Sequence, residues 1–99
     1  MTKSNAVKIH SRDNVVTMLQ DVKKGEEILH NTGGTINSKM DIKAGFKVAI
    51  EKIKKGDNII KYGEIIGRAV KNIETGEEVH VHNVEGLRGR GDKRESDVN

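Results

Sequence analysis

Ile53-Lys54-Lys55-Gly56-Asp57-Asn58-Ile59 sets the frame for the chain: an apolar residue, two polar ones, a glycine, two more residues, and an apolar residue again. The pattern returns at Val22–Gly25–Ile28, Ile42–Gly45–Val48 and Ile73–Gly76–Val79, with polar or small residues before each glycine. Successive glycines stand 20, 11 and 20 residues apart, which suggests an internal duplication of a turn-then-strand unit. Glycine after two polar residues can take the positive φ that closes a tight turn. Proline is absent, so glycine does the turning.

The segments between the turns read as strands. Ala6 to His10 and Asn14 to Leu19 flank a polar loop, Ser11-Arg12-Asp13, and Phe46 to Ile50 follows the second turn. Ile59-Ile60 and Ile65-Ile66 sit either side of Lys61-Tyr62-Gly63-Glu64, a tight bend. Glu78 to His82 alternates, with Val79 and Val81 on one side and His80 and His82 on the other, the period of a half-buried strand. No segment keeps helical spacing long enough for a stable helix, although Gln20 to Lys24 and Ile50 to Lys55 have room for one short helical turn each. His30 to Lys39 is polar, contains Gly33-Gly34 and reads as a flexible loop. The expectation is a small, mostly β domain of short twisted strands over residues 1–85. A flexible basic and polar tail follows over residues 86–99, where Leu87 is nearly alone among polar residues.

Composition narrows the function. Phe46 and Tyr62 are the only aromatics, so the core is aliphatic and nucleic-acid bases have no stacking surface. The net charge of +3 comes from interleaved signs, as in Lys23-Lys24 beside Glu26-Glu27, the pattern of a solvated surface. Nucleic acid and membrane are therefore not expected partners. Without cysteine there is neither disulfide nor thiolate metal site. No apolar run has signal-peptide or membrane-span length, so a cytoplasmic location is expected.

Four polar groupings fall at turns and strand ends, where a rigid scaffold displays chemistry. His10-Ser11-Arg12-Asp13-Asn14 is the first; Asp13 and Asn14 equally suit a turn, because their side chains bond nearby backbone amides. Lys61-Tyr62-Gly63 places a cation and a phenol at a hairpin tip, and also makes a plain surface hairpin. His80-Val81-His82-Asn83 puts two imidazoles on one strand face, where they could hold a divalent cation with His10 as third ligand, bind an oxyanion, or simply face water. Arg88-Gly89-Arg90-Gly91-Asp92 lies in the tail.

Taken in order, these words resemble a known family. His10-Ser-Arg-Asp-Asn-Val-Val-Thr-Met-Leu19 resembles the opening motif of the SAF domain of altronate dehydratases and related sugar-acid lyases, His-x-x-Asp-Asn-Val followed by small and aliphatic residues. Ile42-Lys-Ala-Gly-Phe-Lys-Val-Ala-Ile50, Lys54 to Gly67 and Gly76 to Val84 are similar to its later motifs, and Arg88 to Asp92 to the link towards the catalytic region in single-chain relatives. Phe46 stands where family members usually have histidine.

The resemblance implies a β-clip fold and a division of labour, this domain serving as a separate small subunit beside a large catalytic one. It implies that His10, His80 and His82 bind substrate hydroxyls or shuttle protons, and that Lys61 pairs with the sugar carboxylate. Asp13, Asn14, Tyr62 and Asn83 would orient neighbours or substrate, and Arg88 and Arg90 would hold the large subunit. No metal or other cofactor is expected on this chain, with a divalent ion, iron or manganese, in the partner. The small subunit of sulfolactate sulfo-lyase is the relative reading. A stand-alone sugar-acid-binding module and an assembly scaffold are the alternatives, and homo-oligomers through strand edges are open.

Overall fold

The computed structural model describes residues 4–86, which form nine strands and, among the described residues, no helix. They are β1 (Ala6–Val7), β2 (Val15–Met18), β3 (Glu27–Leu29), β4 (Thr35–Asn37), β5 (Lys47–Ala49), β6 (Asn58–Lys61), β7 (Glu64–Ala69), β8 (Glu78–Val79) and β9 (Val84–Gly86). The central sheet runs β1-β2-β5-β8, a hairpin pairs β3 with β4, and β6-β7-β9 form a third sheet. All of these pairings are antiparallel. The mostly β expectation holds, with strands shorter than the apolar runs.

The repeated glycines explain the architecture. Gly25, Gly45, Gly56 and Gly76 take φ of +88°, +90°, +93° and +91°, a region in which a Cβ is strained. The apolar residue before each turn pairs with its counterpart 20 positions away, Val22 with Ile42 and Ile53 with Ile73, in isolated antiparallel bridges. The short helical turns expected at Gln20–Lys24 and Ile50–Lys55 are absent, because these bridges hold Val22 and Ile53 extended. Carboxylates and amides reinforce the turns: Lys24 N–H donates to Asp41 Oδ1 (2.9 Å), Ala44 N–H to Asp21 Oδ1 (2.9 Å) and Lys55 N–H to Asn72 Oδ1 (2.9 Å).

The duplication is visible bond by bond. Asn5 accepts from Leu29 N–H (2.7 Å) and donates to Glu27 O (3.0 Å), which props β3. Asn14 accepts from Ile60 N–H (2.8 Å) and donates to Asn58 O (2.9 Å), which props β6 in the same way. Each half also has its own core. Strand alternation sends Val16, Met18 and Val48 to one face of the central sheet, where they meet Val22, Ile28 and Ile42. Val15, Ala49 and Val79 go to the other, against Ile53, Ile59, Ala69 and Ile73. Every one of these side chains is at most 3% exposed.

Two sequence expectations need correction. His30 to Lys39 is not a loose loop, because Thr35–Asn37 pairs with β3, Ile36 opposite Ile28. Gly33 at φ +96° closes the turn, and Ser38 N–H reaches Glu26 O (2.9 Å), so the polar segment is tied by its main chain. The strand expected over Glu78 to His82 ends at Val79, and 80–83 form a turn. Asn83, fully buried, bends the chain there: Nδ2 donates to Glu78 O (2.8 Å) and Oδ1 accepts from His80 N–H (2.9 Å). Val81 is consequently 79% exposed, where an alternating strand would bury it beside Val79. The expected domain boundary can be followed only to Gly86; most of the tail, with Arg88 and Arg90, lies outside the described residues.

Candidate functional site

The loop before β2 and the tip of the β6–β7 hairpin are joined through Asp13. This carboxylate is 3% exposed and accepts three main-chain N–H groups: His10 (3.0 Å), Tyr62 (3.1 Å) and Gly63 (2.8 Å). Burial alone would raise its pKa, but the three amides and the nearby His10 outweigh that and hold it below the ordinary carboxylate value. The tip is a two-residue turn with positive φ at both central positions, Tyr62 at +59° and Gly63 at +73°, the type I′ geometry that matches strand twist. A left-handed tyrosine costs about 1 kcal/mol, and the Asp13 contacts offset it.

His10 lies against this tip. Its Nδ1 accepts from Arg12 N–H (3.1 Å), which assigns the neutral ring's proton to Nε2. The ring covers Gly63 so closely that a Cβ there would stand 2.8 Å from His10 Cδ2. Gly63→Ala is therefore expected to displace the imidazole, seen as a large shift of its ring signals by NMR. The φ of +73° should add about 1–2 kcal/mol of destabilisation in urea unfolding. The phenol of Tyr62 is 59% exposed, and Lys61 Nζ sits 4.9 Å from its ring centroid, a cation–π distance.

At the other corner the His80 ring packs on Phe46, centroids 5.0 Å apart and planes tilted by 55°. His82 is exposed in the same turn. Because 80–83 turn rather than extend, strand alternation does not place the two imidazoles on one face. Among the described residues no three His, Asp or Glu side chains are grouped to hold a metal ion, so these residues do not fit a metal centre of their own. Asp13, Asn14 and Asn83 use their side-chain polar atoms on the backbone, as His10 does with Nδ1; Tyr62, His80 and His82 are exposed and Lys61 is half-buried.

Lys47, which sequence reasoning passed over, stands between the corners. It is partly buried on β5, within electrostatic reach of Lys61 and Glu78, and it lines an open cavity of about 210 Å³ with His80, Ile66 and Val84. Burial first, then Lys61, lower its pKa, with Glu78 partly offsetting them. The available signal was periodicity, since Lys47 shares its strand face with Ala49, a core position.

The described residues thus form an all-β domain whose turns are anchored by the buried polar side chains of Asp13, Asn14 and Asn83. The chain belongs to the altronate/galactarate dehydratase SAF domain family, whose model matches residues 4–87. It is 51% identical over 77 residues to the altronate dehydratase of Bacillus subtilis (strain 168), and 42% identical over 77 residues to that of Escherichia coli (strain K12). Each match covers 78% of this chain and 15% of the relative, so the chain spans a small part of those enzymes' length. It is also 45% identical over 53 residues to the (2R)-sulfolactate sulfo-lyase subunit alpha of Paracoccus pantotrophus, covering 54% of this chain and 79% of that subunit.

Proposed function

We propose that this domain works as the small subunit of a sugar-acid dehydratase, a carbon–oxygen lyase whose active site is completed by a large subunit. The observation that carries the proposal is the Asp13-tied corner, which holds His10 against Gly63 and fixes Lys61 and Tyr62 beside it. Dehydration of a 2,3-dihydroxy acid removes the proton next to the carboxylate and expels the β-hydroxyl. A divalent ion, iron or manganese, would stabilise the enediolate when bound in the large subunit. On this chain Lys61 pairs with the substrate carboxylate. His10, its Nε2–H available for a hydrogen bond, holds a hydroxyl or moves a proton at that nitrogen, with His80 and His82 in the same office at the second corner. Tyr62 orients substrate, Asp13, Asn14 and Asn83 keep the loops in place, and Arg88 and Arg90 hold the partner.

Combining the chain with its large subunit and following water loss from altronate or galactarate tests this. Activity is expected only from the pair; full activity of the large subunit alone would overturn the required role. A second reading has its own support, because the matched sulfo-lyase protein is itself a subunit and most of its length is covered. Sulfite release from (2R)-sulfolactate by the same pair, without water loss from altronate or galactarate, would favour it. Retention of full activity by the paired His80→Ala/His82→Ala variant would reduce that corner to scaffold.

A further inference from the structure

Lys47 faces Thr17 of β2 and Val79 of β8 across the central sheet. Its side chain leaves from the face that carries Val15, Ala49 and Val79, beneath the β6–β7–β9 sheet. An ammonium placed beside a core is unfavourable, and a second cation, Lys61, within electrostatic reach makes it more so. The hydroxyl of Thr17, in the same cross-strand row, is buried without a hydrogen-bond partner. Lys47, alone of that row, lines the cavity of about 210 Å³ whose walls include Ile66, His80 and Val84. A half-buried ammonium and an imidazole lining one open cavity, with a second cation, Lys61, within electrostatic reach of the first, are a poor arrangement for the chain alone and a good one for an oxyanion.

We propose that Lys47 is a substrate-binding residue, holding together with Lys61 a carboxylate of the sugar acid in the cavity walled by His80. This deepens the dehydratase reading and rests on it. It makes the cation pair, rather than Lys61 alone, the recognition element. Lysines are point charges that can share one carboxylate from two directions without the fixed geometry an arginine would impose.

The test uses the full chain with lysines labelled for NMR and galactarate as the probe. Galactarate is expected to raise the titration midpoint of Lys47, because a bound carboxylate favours the ammonium, whereas the neutral polyol galactitol leaves it unchanged. Lys61→Met should weaken the response. In the assembled enzyme Lys47→Met is expected to raise KM about ten-fold or more, the scale of one charge-assisted contact, with kcat little changed. Lys47→Arg, which restores the charge but not the point-charge geometry, should recover only part of the loss. An unmoved Lys47 midpoint together with an unchanged KM in Lys47→Met overturns the assignment. If the large subunit instead proves fully active alone, the dehydratase role fails while the galactarate response still reports whether Lys47 and Lys61 bind a carboxylate.

Discussion

Asp13→Ala is expected to lower the unfolding free energy by about 3 kcal/mol or more at neutral pH and, under the proposed dehydratase role, to abolish water loss by the chain paired with its large subunit. The substitution strands the N–H groups of His10, Tyr62 and Gly63, which now share one charged acceptor. Bonds to a charged group contribute about 1.5–3 kcal/mol each, and donors left without a partner add desolvation cost. The left-handed Tyr62 also loses its compensation, so the tip should open and release His10. Urea unfolding and the mixed-subunit assay measure both effects. Because the folded-state pKa lies below the unfolded value of 3.8, the carboxylate contributes its stability fully above that value. The contribution is lost as the pH falls through the folded-state pKa. Between those two pH values the parent chain should lose stability that Asp13→Asn does not lose. Equal acid limbs for the two proteins, or an Asp13→Ala chain within about 1 kcal/mol of the parent, would remove Asp13 from the centre of the site.

Gly76→Ala should destabilise more than the same change at the other repeated turns. All four glycines share nearly the same φ, so strain alone predicts about 1–2 kcal/mol at each. Gly25, Gly45 and Gly56 have open space where a Cβ would go, whereas at Gly76 it would drive into the carbonyl oxygen of Asn37 and crowd Lys39. Gly76 lies in the second half of the duplication and Asn37 on β4 of the first. Lys39 N–H also donates to Gly76 O (2.9 Å), so the halves touch at this turn as well as along the central sheet. A methyl group forces them apart, for a total of about 3 kcal/mol or more. Denaturant unfolding of Gly25→Ala and Gly76→Ala side by side checks this. Matching losses would mean that the interface yields and that backbone strain is the whole effect.

Those four turns were readable in advance because their cause is local: polar residues followed by a residue free to take positive φ need no distant partner. The aliphatic nature of the core follows from the composition and the duplication from the glycine spacing, but the division into two cores on opposite faces of the central sheet does not. The His80–Asn83 segment misled because alternation is a weak signal over five residues, and one asparagine able to bond both the backbone before it and its own turn overrides it. The pairing of Thr35–Asn37 was hidden for a related reason. Its inward residue, Ile36, is a single apolar position among polar ones, and its partner β3 supplies the order.

The order of polar and apolar residues by itself determined the strand-rich class, the turn positions and the polar groupings that fall at those turns. Only the folded chain decided how those residues are used. Asp13 meets Tyr62 and Gly63 across 49 and 50 positions, and Lys47 acquires its partial burial, its cationic neighbour and its cavity from strands on either side of it. Backbone conformation is chosen by interactions within a few residues, whereas a side chain's hydrogen bonds and charge environment are set by whatever the fold brings against it.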